Sequence, residues 1–524
     1  MLIRLLSLLS LCFVCVLPSF SQASMNPLRG ELITYTKVDS LDEAAIRALY
    51  QANGLPELIA PITYELEVYE LIYHTPAATG DSLTVASGLA IVPIDTCDFP
   101  ILNYNHGTYF YGDEITDFGF EWFVGVPLGT GGYIVALPDY LGFGATPVDL
   151  PHPYIHAESE ASSSIDMIRA TRNLCDSIQR RANDQLFLLG YSQGGHVTMA
   201  THKSIEENFS QEFQVTAVAP CSGPYDVANT SASAFLADEP TSSFLLGYVM
   251  TSYQFVYGTL WNQPIEAFRP PYDVIIPNFF DRSNPQTNVV LPDTANRMLQ
   301  PAYLQAIATD TAHPVRSALK ANDVYDWAPT APTRMYYCEA DELVPYQNAI
   351  VALNTFQQNG AANVSAVSVN PSLDHTGCFF PAILFANQWF QTFQGICIQP
   401  IVPQDTFQVD TFVVDTIVID TTSSGMDTTS NDTINTQMDV RFANQEIVIL
   451  PNPVNNFLTF QFKNNNAWVE EVRILDIQGR VKWEKKLSLS LKDYQIDVSH
   501  LPIGNYVLSV KMKGLTYFKM WQKG

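Results

Sequence analysis

Gln185–Thr198 reads QLFLLGYSQGGHVT, and the interpretation of the whole chain depends on this stretch. Leu186–Leu189 is an apolar run of strand length, GYSQG follows directly at 190–194, and the next residues are compatible with a helix. In a G-x-S-x-G turn between a strand and a helix, the two glycines avoid collisions with the neighbouring backbone. The turn exposes the Ser192 hydroxyl and points the first N–H groups of the helix towards the atom it attacks. An ordinary glycine-rich turn with a solvated serine is the alternative.

A serine hydroxyl is a weak nucleophile until a base takes its proton. In a site of this kind the chain order is serine, acid, histidine. The histidines that follow Ser192 are His196, His202, His313, His375 and His500. The first two lie on the helix that leaves the turn, the third precedes the candidate acid, and the last lies in the C-terminal segment. His375 remains as the predicted base, in a loop at 370–378 between the last apolar strand and the final helix.

The acid is expected in the loop after the strand Met335–Cys338. Asp341 fits, because it lies three residues past the end of that strand, and Glu339 and Glu342 are the nearby rivals. A short carboxylate on a fixed loop holds an imidazole in one tautomer and stabilises its protonated form. For each of the three carboxylates the alternative is a solvated surface charge. The sequence favours Asp341.

A second motif lies about 85 residues before the G-x-S-x-G turn. The strand Pro100–Asn105 runs into His106-Gly107-Thr108. Glycine lets a backbone approach a substrate oxygen closely, so a strand that ends in His-Gly suits an oxyanion donor. A plain turn at a strand end is the alternative. The predicted oxyanion hole is formed by the backbone N–H groups of Thr108 and Gln193.

Strands and helices alternate along most of the first 397 residues. The predicted strands are Thr63–His74, Ser82–Val92, Pro100–Asn105, Tyr133–Leu137, Leu186–Leu189, Val215–Ala219, Met335–Cys338 and Val364–Val369. Predicted helices are Leu41–Ala52, Ile165–Ile178, one at about 346–358 and one that ends near Phe393. Strands separated by helices at this rhythm indicate an α/β fold with a mostly parallel sheet covered on both faces.

The rhythm breaks between about 227 and 323, in a stretch rich in aromatic residues. One interpretation is an inserted cap over the edge of the sheet, whose aromatic residues line an apolar substrate pocket. The other is that these residues are ordinary packed core, since a cap of this size also needs a core of its own. The sequence does not choose between them.

The chain has 524 residues, which is too long for one compact core and indicates two or three domains. Residues 1–23 have the basic start, the apolar run and the small-residue end of an export signal that is cut after Ala23. A transmembrane anchor is the weaker alternative, because the apolar run is short and ends at Pro18.

After the signal six cysteines remain, at positions 97, 175, 221, 338, 378 and 397. An even number in an exported protein permits disulfides, but six cysteines allow fifteen pairings and the sequence does not choose one. None of them has the spacing of metal ligands. The sequence predicts no metal site and no cofactor.

The formal net charge is −26, from 27 basic and 53 acidic residues. The segment from Arg441 onward has 12 Lys or Arg and 7 Asp or Glu, a net charge of +5, which leaves −31 for the residues before it. This shift in composition indicates a domain boundary. The acidic body argues against nucleic acid as a partner, and it is also consistent with simple solubility outside the cell.

Residues 399–446 are predicted to form a linker. Asp-Thr recurs there every five residues from Asp405 to Thr421, and the segment has little capacity to form a core. The Asp-Thr units resemble bacterial O-glycosylation sites, and an unmodified spacer is the alternative. Residues 447–524 alternate apolar and polar residues, with candidate strands at Phe457–Phe462, Val472–Ile477 and Tyr506–Met512. They predict a small antiparallel β-sandwich.

Residues from about 25 to 397 resemble secreted bacterial α/β-hydrolases related to the secretory lipases. The motifs that carry this resemblance are HGT at 106–108, PDYLGFG at 138–144, HPY at 152–154, GYSQG at 190–194, ADELVP at 340–345 and DHTGC at 374–378. The resemblance implies an α/β-hydrolase fold and carboxylic-ester hydrolysis, with Ser192, Asp341 and His375 as the catalytic triad. It also motivates the hypothesis of a disulfide between Cys338 and Cys378, which lie close in sequence to the acid and the base.

The tail resembles the type IX secretion sorting domain. PNP at 451–453, LDIQGR at 475–480 and IDVSHLPIGNY at 496–506 carry this likeness. It implies passage through the outer membrane with the secretion machinery as partner, and a protein that is secreted or held at the cell surface. A carbohydrate-binding sandwich is the alternative, but no exposed row of aromatic residues is evident.

The expected organisation is therefore a signal at 1–23, an α/β-hydrolase domain at 24–398 with a cap at about 227–323, a linker at 399–446 and a β-sandwich at 447–524. The leading functional hypothesis is an extracellular esterase or lipase that acts on small-molecule or lipid esters through an acyl-enzyme. A serine peptidase on the same fold, or an inactive hydrolase kept for surface binding, are the alternatives. The complete triad speaks against the inactive form.

Overall fold

In the computed structural model, the first large region is an α/β unit and the last is all-β. The structure describes residues 28–52, 61–80, 82–109, 122–237, 239–279, 291–395, 440–442, 447–450 and 454–523, except for short gaps at 455, 463–466, 477–480, 503 and 513–514. The predicted export signal and nearly all of the Asp-Thr linker, including its proposed glycosylation sites, lie outside the described residues.

The α/β unit is built on one nine-stranded sheet. Its strands are β1 (Leu32–Leu41), β2 (Leu66–Pro76), β3 (Leu83–Pro93), β4 (Asp98–Asn105), β5 (Ile134–Pro138), β6 (Arg181–Tyr191), β7 (Val215–Cys221), β8 (Thr333–Cys338) and β9 (Val364–Asn370). The spatial order is β1-β2-β3-β5-β4-β6-β7-β8-β9. The strands β5, β4, β6, β7, β8 and β9, in that spatial order, pair in parallel. Strands β1, β2 and β3 add antiparallel strands at one edge.

Helices cover both faces of this sheet. They are α1 (Glu43–Ala52), α2 (Trp122–Thr130), α3 (Ala157–Ser177), α4 (Gln193–Asn208), α11 (Gln347–Gln358) and α12 (His375–Phe390). Alternate residues of the central strands face opposite cores, so that Phe187 and Leu189 pack with α12 while Leu186 and Leu188 pack with α3 and α4. Because both faces are buried, the central strands read as continuous apolar runs. The predicted α/β fold class is confirmed.

Several features of this unit differ from the expectations, among them α2, which was not predicted, and α3, which begins at Ala157 rather than at Ile165. Strand β1 was not predicted, because its residues are mostly exposed on an edge strand and show no clear alternation. His375 was expected in a loop, but it is the first residue of α12. The helix begins there because the Asp374 side chain accepts a hydrogen bond from the backbone N–H of Gly377 at 2.7 Å, which is an N-cap interaction.

Short helices fill the stretch between β7 and β8. They are α5 (Ala232–Leu236), α6 (Ser243–Tyr257), α7 (Pro264–Ala267), α8 (Tyr272–Phe279), α9 (Pro301–Thr309) and α10 (Pro314–Ala321), with a π-helical turn at Val227–Ser231 and a 3₁₀ turn at Ala295–Met298. Their apolar side chains form a core of their own, around Tyr253, Phe268 and Met298. Several side chains of the same helices, Tyr253 among them, also line a pocket beside Ser192. The core of this region and the wall of the pocket therefore share residues.

The C-terminal region is all-β. Its strands are β10 (Val440–Phe442), β11 (Ile447–Leu450), β12 (Phe457–Phe462), β13 (Ala467–Asp476), β14 (Val481–Leu491), β15 (Asp493–Asp497), β16 (Gly504–Met512) and β17 (Leu515–Lys523). They form a five-stranded sheet, β10-β17-β16-β13-β14, and a three-stranded sheet, β11-β12-β15. Buried residues of both sheets, including Phe460, Ile474 and Leu508, share one core. The all-β tail is as predicted, with several more strands than the three named from the sequence.

Among the residues that the structure describes, we find no helix that combines the length and the apolar character required to cross a bilayer.

Candidate active site

Ser192 lies on a strained turn between β6 and α4. Its backbone has φ 60° and ψ −121°, a conformation that residues with a side chain rarely adopt. A Cβ at Gly190 would collide with the carbonyl oxygen of Gly194, and a Cβ at Gly194 would collide with that of Asn105. The two glycines thus allow the turn to pack tightly against β4, which gives the geometry expected of a nucleophile elbow.

The structure brings Ser192, His375 and Asp341 together. Nε2 of His375 lies 2.8 Å from the Ser192 hydroxyl oxygen, and its Nδ1 lies 2.8 and 2.9 Å from the two carboxylate oxygens of Asp341. A carboxylate can only accept, so Nδ1 carries the hydrogen and Nε2 is free to accept the serine proton. His375 and Asp341 are buried, with 7% and 9% of their surface exposed. This arrangement can make a serine hydroxyl nucleophilic.

Of the three carboxylates considered from the sequence, only Asp341 contacts the His375 ring among the described residues. Its Oδ1 also accepts hydrogen bonds from the backbone N–H groups of Leu343 and Val344, at 3.1 and 2.8 Å, which fix the carboxylate on the loop. Glu342 instead accepts from the backbone N–H of His375 at 2.9 Å. Glu339 is exposed. The two rivals are therefore not placed to orient the imidazole.

A hydrogen bond and a disulfide further fix the segment that contains His375. The Tyr191 hydroxyl donates to the carbonyl oxygen of His375 at 2.6 Å. A disulfide joins Cys338, at the end of β8, to Cys378 in the first turn of α12, which is the pairing proposed from the resemblance. Because Asp341 follows Cys338 and His375 precedes Cys378, the bond ties the segment of the acid to that of the base.

The turn at 106–108 lies beside Ser192. A Cβ at Gly107 would lie 3.9 Å from Cβ of Ser192 and 3.6 Å from the carbonyl oxygen of Tyr191, so the turn passes close to the elbow. The Thr108 hydroxyl is within 2.9 Å of the Tyr154 hydroxyl. Gln193 is the first residue of α4, where a backbone N–H has no partner within its own helix. Gln193 adjoins Ser192 and the turn that contains Thr108 passes close to it, and the two backbone N–H groups stay predicted oxyanion donors.

His106 supports that turn as a neutral ring. Its Nδ1 lies 2.6 Å from the carbonyl oxygen of Gly107 and its Nε2 lies 3.3 Å from that of Asp139. A neutral ring can donate to only one of them, and the shorter distance places the hydrogen on Nδ1. The ring stacks on Tyr140 with centroids 4.1 Å apart. Burial lowers the pKa of His106 to about 4, because a charged imidazolium is poorly solvated there.

Three buried histidines, His106, His152 and His156, predict that the folded protein loses stability in acid. Burial lowers the pKa of His106 to about 4, of His152 to about 3 and of His156 to about 4, from an ordinary value of 6.5. Below pH 6.5 the unfolded chain therefore binds protons that the folded protein does not. Above pH 6.5 these histidines do not diminish the free energy of unfolding. As the pH drops from 6.5 towards 4, we expect that free energy to fall by about 1.4 kcal/mol per pH unit for each histidine. Urea unfolding at pH 7.5, 6.5, 5.5 and 4.5 measures this change in the free energy of unfolding.

A midpoint that stays constant or rises between pH 6.5 and 5 would contradict this expectation. It would mean that the three rings are already charged, or reach solvent, in the folded protein.

Sequence reasoning missed several polar residues behind the elbow. Glu160, on α3, bonds to the side chains of Gln193 and His196 on α4, and Gln193 also bonds to His152. His152 entered the sequence analysis only as part of the HPY motif. Nothing in the local pattern around Glu160 indicates a buried carboxylate, because its contacts with Gln193 and His196 join residues more than 30 positions apart.

An apolar cavity opens beside Ser192 and Gln193 and extends under the helices between β7 and β8. Its walls include Phe235, Leu246, Val249, Met250, Ile307 and Val315. Such a cavity binds apolar groups and excludes charged ones. Among the described residues, no group of three or more histidine, cysteine, aspartate or glutamate side chains is placed to hold a metal ion.

Two family models match the chain. The alpha/beta hydrolase family matches residues 106–382, and the secretion system C-terminal sorting domain matches residues 448–522. A curated relative is the secreted triacylglycerol lipase LIP4 of Malassezia furfur, which is 24% identical over 258 residues. That match spans 48% of this chain and 46% of the lipase, so the chain spans less than half the length of this relative.

Solved structures of an esterase and of a lipase are also similar to this chain. The rice cell wall degrading esterase LipA of Xanthomonas oryzae is 29% identical with a TM-score of 0.61, over 70% of this chain and 96% of that one. Candida antarctica lipase A in its closed state is 18% identical with a TM-score of 0.53, over 71% of this chain and 84% of that one, and shows the fold alone. The chain therefore belongs to the alpha/beta hydrolase family and ends in a secretion sorting domain.

Proposed function

We propose that this protein is an exported serine hydrolase that cleaves carboxylic esters through an acyl-enzyme on Ser192. The observation that carries the proposal is the continuous hydrogen-bonded chain from Ser192 through His375 to Asp341. The related proteins named above, a secreted triacylglycerol lipase and a cell wall degrading esterase, support ester hydrolysis as the reaction class.

The reaction begins with proton transfer from the Ser192 hydroxyl to Nε2 of His375 as the serine oxygen attacks the ester carbonyl. The backbone N–H groups of Gln193 and Thr108 stabilise the resulting oxyanion. When the tetrahedral intermediate collapses, His375 gives its proton to the leaving alcohol and an acyl-enzyme remains. His375 then takes a proton from water as the water oxygen attacks the acyl carbonyl. When this second tetrahedral intermediate collapses, His375 returns the proton to the Ser192 oxygen, which leaves as the carboxylic acid is released. Asp341 stabilises the imidazolium in both halves.

The apolar cavity beside Ser192 supports a substrate with an uncharged, apolar group next to the ester. Its walls offer side chains such as Leu246, Val249 and Met250, which a hydrocarbon chain can contact. A polar or charged group there would lose its hydration without gaining partners. We therefore propose small-molecule or lipid esters as substrates, with the helices at 227–323 acting as the cap over the pocket.

The C-terminal sorting domain supports action outside the cell. We propose that a signal at 1–23 directs export, that the catalytic domain occupies residues 24–398, that residues 399–446 form a spacer, and that residues 447–524 engage the secretion machinery. The net charge of −26 gives no basis for attraction to nucleic acid.

Substrate class is tested by comparing p-nitrophenyl esters of graded acyl length with aminoacyl p-nitroanilides, using Ser192→Ala as the background. The proposal expects ester hydrolysis, together with stoichiometric labelling of Ser192 by a fluorophosphonate. Faster turnover of the anilides would favour a peptidase. Labelling without turnover of any substrate, or no labelling at all, would favour an inactive homologue and overturn the proposal.

A further inference from the structure

Glu160 is a buried carboxylate behind the elbow that no step of the proposed reaction uses. It lies in the first turn of α3 with 1% of its surface exposed. A buried carboxylate is costly unless hydrogen bonds and an opposite charge compensate it. The positive end of the α3 dipole contributes part of that compensation. The partners of the two oxygens supply the rest.

Each oxygen of Glu160 has defined partners. Oε1 accepts a hydrogen bond from the backbone N–H of Ile155 at 2.9 Å and another from the side-chain amide of Gln193 at 2.8 Å. Oε2 lies 3.1 Å from Nδ1 of His196. Gln193 and His196 are the first and fourth residues of α4. Glu160 therefore holds the first turn of α4, the helix that follows Ser192.

The Gln193 side chain is held on its other side by His152. Nε2 of Gln193 lies 2.7 Å from Nε2 of His152, whose Nδ1 lies 2.7 Å from the carbonyl oxygen of Leu141. A carbonyl oxygen only accepts, so the histidine carries its hydrogen on Nδ1 and accepts with Nε2. Both amide hydrogens of Gln193 are thus engaged, one by a carboxylate and one by a neutral imidazole, and this fixes the orientation of the amide.

His196 closes the arrangement. Its Nε2 lies 2.9 Å from the carbonyl oxygen of Asn322, so that nitrogen carries a hydrogen. Its Nδ1 faces Glu160, and two lone pairs would repel each other there, so one further proton lies between the carboxylate and the ring. The ring is fully buried. Glu160 and His196 therefore connect α3, α4 and Asn322, the residue that follows α10.

We propose that Glu160 is a positioning residue for the oxyanion hole. By holding the Gln193 side chain and His196, it fixes the first turn of α4, and with it the direction of the Gln193 backbone N–H that receives the developing oxyanion. Donors of this kind act only when they are pre-aligned to within a few tenths of an ångström, so a loosened first turn weakens the transition state more than the bound substrate. The inference rests on the proposed ester hydrolysis at Ser192.

Two substitutions at the same position separate geometry from charge. In Glu160→Gln the amide oxygen still accepts from Ile155 and Gln193, and the amide nitrogen donates to Nδ1 of a neutral His196, so every hydrogen bond is kept. We expect kcat within about threefold of the wild-type value. In Glu160→Ala the partners are released, and we expect kcat to fall about 10- to 100-fold while KM changes less than about threefold.

A second readout reports on the oxyanion hole directly. An alkyl trifluoromethyl ketone is attacked by the Ser192 oxygen to form a hemiketal oxyanion, while the serine proton passes to His375. Its inhibition constant should rise in Glu160→Ala by about the same factor as kcat/KM falls, and stay near the wild-type value in Glu160→Gln. A merely structural role would lower the melting temperature without this parallel loss of inhibitor affinity.

Asp166 provides a matched control on the same helix. It is a fully buried carboxylate paired with Arg29 and Arg169 and hydrogen-bonded to Thr75, away from the elbow. Asp166→Asn should lower stability but leave kcat and the inhibition constant within about twofold. Equal losses in Asp166→Asn and Glu160→Ala would overturn the proposal, as would wild-type kinetics in Glu160→Ala.

If Glu160→Ala does not fold, Gln193→Met decides instead, because it keeps the backbone N–H and the side-chain length but removes the amide. We then expect the same 10- to 100-fold loss of kcat and of inhibitor affinity, and unchanged values would overturn the proposal. Ester hydrolysis by the wild type that disappears in Ser192→Ala supports the proposed function whatever these variants show. A failure at Glu160 is thereby distinguished from a failure of the reaction itself.

Discussion

Replacement of Ser192 by alanine is expected to lower kcat for a p-nitrophenyl ester by about 10⁴- to 10⁶-fold. The hydroxyl is 2.8 Å from Nε2 of His375, and no other hydroxyl is hydrogen-bonded to that ring among the described residues. Alanine removes the nucleophile but keeps the pocket and the oxyanion donors, so KM should change little. The ester hydrolysis rate, measured with enzyme matched to wild type by circular dichroism and melting temperature, tests this.

Ser163→Ala is the matched control. Ser163 is a fully buried serine on α3 whose hydroxyl donates to the backbone carbonyl oxygen of Glu160 rather than to the His375 ring. Its loss should leave kcat within a few fold of wild type. More than about 1% of wild-type activity in Ser192→Ala, free of contaminating esterase, would show that Ser192 is not the nucleophile.

The elbow could be predicted from the sequence because its determinants are local. An apolar strand, two glycines around Ser192 and a helix-compatible continuation lie within 14 residues, and each constrains the others. Once the serine was placed, chain order was enough to select His375 and to favour Asp341. The structure brings these three side chains into contact, so distant positions were found by a rule of order rather than by local pattern.

What could not be predicted depends on contacts between distant segments. Glu160 reads as an ordinary acidic residue in the first turn of a helix, and only packing against α4 buries it. Glu342 was a rival for the acid because sequence cannot distinguish a bond to the ring of His375 from a bond to its backbone N–H. The core under the inserted helices is likewise formed by segments whose order in space the sequence pattern leaves open.

Asp341→Asn is expected to lower kcat by about 10⁴-fold with little change in KM. Oδ1 of Asp341 accepts from the backbone N–H groups of Leu343 and Val344, so an asparagine would keep its oxygen there and turn its amide nitrogen towards His375. That nitrogen donates, which forces the hydrogen of the imidazole from Nδ1 to Nε2. The ring would then present a hydrogen to the Ser192 hydroxyl and could not take its proton.

The two neighbouring carboxylates make this prediction specific to Asp341. Glu342→Gln keeps an oxygen that accepts from the backbone N–H of His375, so we expect kcat within about fivefold of wild type. Glu339→Gln changes an exposed side chain and should have no measurable effect. Steady-state ester hydrolysis by the three variants, with melting temperatures as the control for folding, compares them. A loss in Glu342→Gln or Glu339→Gln as large as that in Asp341→Asn would assign the acid differently, because only the residue that sets the tautomer of His375 can control proton transfer from Ser192.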